Sequence, residues 1–143
     1  MQPVLFDSSV YIFALRRGPQ TAWASIRRAH PAPVWLSSVV LEELYAGARP
    51  HDRRVVERLE RDFDSARRIL VPDLTDWTQT GKVLAQVGSK YGYEQVGRGR
   101  LTNDGLIATS AGRLGILVLT TNERDFARLA EFLPFQWGLF TTA

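Results

Sequence analysis

Two short apolar runs, Pro3-Val-Leu-Phe6 and Ile116-Leu-Val-Leu-Thr120, carry no polar alternation. A strand with one wet face alternates apolar and polar side chains. A strand apolar throughout is buried on both faces, as at the centre of a parallel sheet. Parallel neighbours cannot be joined by a tight hairpin and need a crossover, usually a helix. Val34-Trp-Leu-Ser37 reads as a further strand. Ile69-Leu-Val-Pro72 reads as a short edge strand, because its proline cannot donate to a central ladder, and Phe135-Gln-Trp137 as a late edge strand. Helical patterns occupy residues 8–16, 20–29, 38–48, 52–68, 75–90 and 103–114. In the fourth, Val56, Leu59, Phe63, Ala66 and Leu70 follow one face, while Glu57 with Arg61 and Asp64 with Arg68 are spaced as i,i+4 pairs on the other. In the fifth, Trp77, Leu84, Val87 and Tyr91 form a stripe, and Gly81 and Gly88 would permit close helix contact. Strands alternating with helices predict right-handed βαβ connections and an α/β/α sandwich. No repeat or linker interrupts the 143 residues, so one domain over 1–143 is expected.

Composition narrows the chemistry. The absence of cysteine excludes disulfides and thiolate metal sites and is compatible with an intracellular location, so any metal must be held by oxygen or histidine. No run is long enough to cross a bilayer and no signal-like segment opens the chain, so a cytoplasmic protein is expected. The net charge of +3 hides a separation, with arginines crowded at Arg16-Arg17, Arg27-Arg28, Arg53-Arg54 and Arg67-Arg68. Such a surface suits a polyanion, although ordinary solvated helix faces give the same pattern. Gly97-Arg-Gly-Arg100, following Tyr91-Gly-Tyr93, reads as a flexible rim loop offering arginines to phosphates or equally as a plain connector, and not as a dinucleotide fingerprint, since it follows a helix. His30 and His51 have no ligand-like spacing and read as surface or packing residues.

Four acids stand where strands end or helices begin: Asp7, Glu43, Asp104 and Asp125. In open α/β folds the carboxyl ends of the strands line the ligand crevice, so acids from distant positions can converge there. Two carboxylates about 4 Å apart repel by roughly 4 kcal/mol at an effective dielectric near 20, so such a cluster needs a cation or a proton. Each acid also has a purely structural reading. Asp7 can cap the helix beginning near Ser8, although an adjacent serine could do so in its place. Glu42 and Glu43 point about 100° apart, and phase with Val40, Leu44 and Gly47 puts Glu43 on the inward face. Asp104, after Thr102 and Asn103 as candidate caps, would favour a helix dipole without any function. In Thr120-Thr-Asn-Glu-Arg-Asp-Phe126 a strand passes into a short helix, presenting Asn122, Glu123 and Asp125 near the crevice, with Glu123 expected to be exposed.

Leu5-Phe-Asp-Ser-Ser-Val10, Glu43-Leu-Tyr-Ala-Gly47, Asp104-Gly-Leu-Ile-Ala108 and Thr120-Thr-Asn-Glu-Arg-Asp-Phe126, in this order and spacing, resemble the PIN-domain family of metal-dependent ribonucleases, especially the VapC toxins of type II toxin–antitoxin modules. The resemblance implies a PIN-like α/β/α sandwich with a central five-stranded parallel sheet. It implies an acidic triad of Asp7, Glu43 and Asp104. At the fourth position, where an aspartate is usual, this chain has Asn122, with Asp125 three residues on; Asp125 is assigned and Asn122 kept as a further ligand or water contact. Gly105 stands where alanine is usual, a change of little chemical consequence. The activity implied is Mg²⁺- or Mn²⁺-dependent hydrolysis of RNA phosphodiester bonds, the carboxylates holding one or two ions that activate water and stabilise the leaving oxygen. Single-stranded or looped RNA is the expected substrate, and a cognate VapB-type antitoxin and a homodimer are the expected partners. Two other classes compete: a catalytically impaired PIN-fold binding module, favoured by Asn122, and a receiver-like phosphorylation switch. The switch fits poorly, because the first strand ends in one acid and both lysines, Lys82 and Lys90, fall on a predicted helix.

Overall fold

The computed structural model describes residues 1–18, 24, 30–98 and 101–141. Five strands form one parallel sheet: β1 (Val4–Phe6), β2 (Val34–Ser37), β3 (Ile69–Leu70), β4 (Leu117–Thr120) and β5 (Trp137–Leu139), in the order β3-β2-β1-β4-β5. The two unalternated runs are β1 and β4, side by side in the interior, with Val4, Leu5 and Phe6 opposite Leu117, Val118 and Leu119. Both proline- and aromatic-marked segments are edges, as expected. β3 stops before Val71 and Pro72, and β5 begins at Trp137, two residues later than the sequence suggested.

Among the described residues the helices are α1 (Ser8–Arg17), α2 (Ser38–Gly47), α3 (Arg53–Ser65), α4 (Leu74–Tyr91), α5 (Tyr93–Arg98), α6 (Leu101–Leu114) and α7 (Glu123–Ala130). The pattern over 20–29 lies almost wholly outside the described residues, as do Arg27, Arg28, Gly99 and Arg100. α6 is the central helix: its side chains from Gly105 to Ala111 are all buried, and it packs on α2, α4, α7 and β4.

Three local readings need correction. α3 buries Val56, Leu59 and Phe63 as expected but ends at Ser65, because Arg67 takes a positive φ of 56° that turns the chain into β3. The spacings Glu57/Arg61 and Asp64/Arg68 do not close into ion pairs, whereas Arg49–Asp52, Arg113 with Asp76 and Asp73, and Lys90–Glu131 do. In α4 the buried side is Asp76, Thr80, Val83, Val87 and Gly88, which leaves Trp77 54% exposed. A buried acid and threonine hid this face from a search for apolar residues. Asp76 is held by Arg113 (Nη2 to Oδ2, 2.9 Å) and closes a capping box with Asp73. The stretch from Tyr93 to Arg98 is a helix, not a loop. Gly92, at φ 103°, ends α4, and a Cβ at Gly88 would meet the Tyr93 ring at 2.4 Å, so Gly88 is the close-packing glycine of the expected pair.

Candidate active site

The strand order sets the location. From β1 the sheet extends to β2 on one side and to β4 on the other, so the connections leave in opposite directions and open a crevice beyond the carboxyl ends of these central strands. Asp7 follows β1 directly, and residues 121 and 122 follow β4.

Asp7 is 3% exposed and caps α1 itself, accepting from the Ser9 backbone N–H at 3.1 Å. The Ser9 hydroxyl also donates to Oδ1, and Thr120 Oγ1 donates to Oδ2 at 2.7 Å. Burial pushes the carboxyl pKa up, while these hydrogen bonds, with a backbone contribution from Val10, pull it down less strongly.

Glu43 lies on the inner face of α2, beside buried Val40 and Leu44, while Glu42 is exposed. Ser37 caps that helix through its hydroxyl and the Val39 N–H at 3.1 Å. Burial raises the Glu43 pKa; the Asn103 and Ser8 side chains oppose this, and the charges of Asp7 and Glu42 reinforce it. Glu43 Oε1 is nevertheless buried with no hydrogen-bond partner among the described residues. An orphaned carboxylate oxygen is costly unless something outside the chain satisfies it.

Asp104 sits in the first turn of α6, which begins at Leu101, so Thr102 and Asn103 lie inside the helix and are not its caps. Its carboxyl is pushed up to about 8, by burial first and then by the charges of Asp7, Asp125 and Glu43. The four acids are thus one electrostatic unit, with Asp104 feeling the charges of the other three. Asp125 is half-buried in the first turn of α7 and accepts from Asn122 Nδ2 at 3.0 Å; Glu123 is exposed. The histidines lie elsewhere: His51 is beside Asp52, and His30 packs edge-on against Phe6, with ring centroids 5.3 Å apart.

Sequence reading missed the polar groups that hold the acids: Ser8, Ser9, Asn103 and Thr120. One signal was available. Thr120 is a polar end to the apolar run Leu117-Val-Leu, and it is fully buried.

The all-carboxylate donor set suits a hard divalent cation, and the orphaned Glu43 oxygen and the elevated Asp104 both have reason to welcome one. Among the described residues, no group of three histidine, cysteine or acidic side chains is arranged to hold an ion. A divalent cation there would draw on only one or two of these carboxylates and would complete its shell with water and substrate phosphate.

The PIN domain profile matches residues 4–132, and the chain belongs to that family. Its fold is similar to that of DNA-bound VapBC from Salmonella typhimurium, at a TM-score of 0.68 and 24% identity over 97% of this chain and 98% of that one. VapBC2 from Rickettsia felis, bound to a promoter DNA fragment, is similar at a TM-score of 0.65 and 20% identity over 98% and 100% of the two chains. VapBC-1 from nontypeable Haemophilus influenzae gives 0.62 and 22% over 96% and 97%. Comparison with curated protein sequences gives no significant match.

Proposed function

We propose that this PIN domain is the toxin of a VapBC-type pair, an endoribonuclease that hydrolyses single-stranded or looped RNA with Mg²⁺ or Mn²⁺ held by Asp7, Glu43, Asp104 and Asp125. The observation that carries the reading is the acidic cluster around Asp104, whose carboxyl is pushed up to about 8 by burial first and then by the charges of Asp7, Asp125 and Glu43. When bound, the divalent ion supplies the Lewis acidity that activates water and stabilises charge on the phosphate oxygens.

The residues divide the remaining work. Asp7, fixed on both oxygens, is the most rigid anchor of the cation. Glu43 would offer the orphaned Oε1, and Asp104 would hold an ion only in its deprotonated form, so binding would be favoured as pH rises. The Asn122 amide donates to Asp125, which favours reading Asp125 as the fourth ligand and Asn122 as its support. Exposed Arg16 and Arg17 at the end of α1 offer phosphate contacts outside the acidic centre. An unpaired strand fits a narrow crevice better than a duplex.

The likeness to VapBC structures supports a VapB-type antitoxin as partner, with a basic side chain entering the acidic crevice and an apolar helix in a neighbouring groove. A homodimer and a cytoplasmic setting belong to the same reading; no helix among the described residues is long and apolar enough to cross a membrane. The test is RNA cleavage by antitoxin-free protein with Mg²⁺ or Mn²⁺. Asp7→Asn and Asp104→Asn should lose at least about 100-fold, the scale expected when an essential group is removed. Equal activity in all three proteins would sink the proposed site, whereas no activity in the wild type would leave the catalytically impaired binding module as the better account. Asp125→Asn should cost more activity than Asn122→Ala; the reverse order would make Asn122 the ligand.

A further inference from the structure

The turn that follows β4 is tied to Asp7 through two hydroxyl groups. The backbone N–H of Thr121 donates to Ser9 Oγ at 3.1 Å, and that hydroxyl donates to Asp7 Oδ1. The backbone N–H of Asn122 donates to Thr120 Oγ1 at 2.8 Å, and that hydroxyl donates to Asp7 Oδ2 at 2.7 Å. A hydroxyl has one proton and two lone pairs. Once each has accepted a backbone N–H, the geometry directs its single proton at the aspartate. Thr120 is fully buried. The two arms come from different elements, Ser9 from the first turn of α1 and Thr120 from the end of β4, and both take their N–H from one short turn.

We infer that Ser9 and Thr120 are positioning residues that fix Asp7 as a doubly held carboxylate acceptor, the turn at 121–122 aiming both hydroxyls. The inference rests on the proposal that Asp7 anchors a divalent cation. Oδ1 receives the Ser9 N–H and hydroxyl and Oδ2 receives Thr120, so each oxygen is held from a different element. The same turn reaches the other side of the cluster, because the Asn122 amide holds Asp125. One turn therefore sets the relative placement of two of the four acids.

Groups that orient metal ligands are worth about 10- to 100-fold in metal affinity. The test is Mn²⁺-induced thermal stabilisation at fixed pH, measured on the full chain. Thr120→Val keeps the shape and deletes the donor; it should raise the Mn²⁺ concentration at half-maximal stabilisation by about 10- to 100-fold. Ser9→Ala should move it in the same direction, and Thr120→Ser should restore it to near wild type. A merely structural threonine would shift the melting temperature without Mn²⁺ and leave the midpoint alone. Should Thr120→Val fail to fold, Ser9→Ala decides. Superimposable Mn²⁺ titrations of wild type and both donor-deleting variants would overturn the positioning role while leaving the metal site intact. No stabilisation of the wild type at any Mn²⁺ concentration would remove the metal site and this inference with it.

Discussion

At the scale of single residues, the acids differ in what holds them. Asp7 has donors on both oxygens, Asp125 has one amide, and Asp104 has like charges around it. A raised carboxylate pKa means that the folded protein keeps a proton which the unfolded chain has lost. Stability on this account therefore declines as pH rises from the unfolded value of 3.8 towards about 8. Asp104→Asn should accordingly be more stable than wild type in chelator at pH 8. Discounted for partial exposure, the gain should be about 1–3 kcal/mol, and it should shrink as pH falls and vanish well below 3.8, where the wild-type carboxyl is protonated in both states. Melting temperatures across that pH range in EDTA check this. A variant that is less stable at pH 8 would show that the cluster is not self-repelling. Combined with lost cleavage, greater stability is the signature of a site held at the expense of the fold.

At the scale of elements, α6 meets α4 through contacts that no apolar pattern reveals. Gly105 lies against Thr80: a Cβ there would come within 2.7 Å of Thr80 Cγ2. Thr80 Oγ1 is meanwhile hydrogen-bonded to Thr109 Oγ1 at 3.0 Å, and Thr109 donates to the Gly105 carbonyl at 2.7 Å. The glycine is thus matched to the threonine, and the change from alanine matters to packing more than the sequence suggested. Gly105→Ala should cost about 1–3 kcal/mol in urea unfolding, as overpacking does. In a Thr80→Ser background, which removes the obstructing methyl and keeps the hydroxyl, the same change should be neutral or favourable through helix propensity. An equal cost in both backgrounds would locate the constraint elsewhere. The second contact is Asp76 with Arg113. Burial pushes the Asp76 carboxyl up, but Arg113 and the Asp73 backbone N–H outweigh it and leave it low. That stabilisation is present above the unfolded value of 3.8 and is lost as pH falls through the lower folded value. Asp76→Asn should cost about 1–2 kcal/mol at pH 7 by removing the buried partner of Arg113, which keeps only the exposed Asp73 at 3.4 Å, and its deficit against wild type should close in acid. A deficit independent of pH would mean that capping, not the ion pair, carries the effect.

At the scale of the molecule, the inner strands and α6 share one cluster of buried side chains that runs from Val4 to Leu133. One core predicts one cooperative unit over residues 1–143. Tryptophan fluorescence and far-ultraviolet circular dichroism should report coincident urea transitions. Two separated transitions would divide the chain into units that the contacts do not suggest.

Sequence alone determined the layered class of this protein, because unalternated runs such as Leu5-Phe6 and Leu117-Val-Leu119 have no stable place except between helices. It also chose Glu43 over Glu42, since helical phase is a property of neighbours in the chain. The pairing of Thr80 with Gly105 and of Asp76 with Arg113, and the two hydroxyl arms on Asp7, could not be read there. Apart from the Ser9 arm, two residues from Asp7, each joins residues far apart in the chain, and a polar residue on an inward face breaks the apolar period by which inward faces are recognised. Tertiary structure decided the strand order, hence the crevice between the ends of β1 and β4. It also decided which polar groups surround Asp7, because hydrogen bonds and charge repulsion depend on distances of a few ångströms, which only the assembled sheet and helices set.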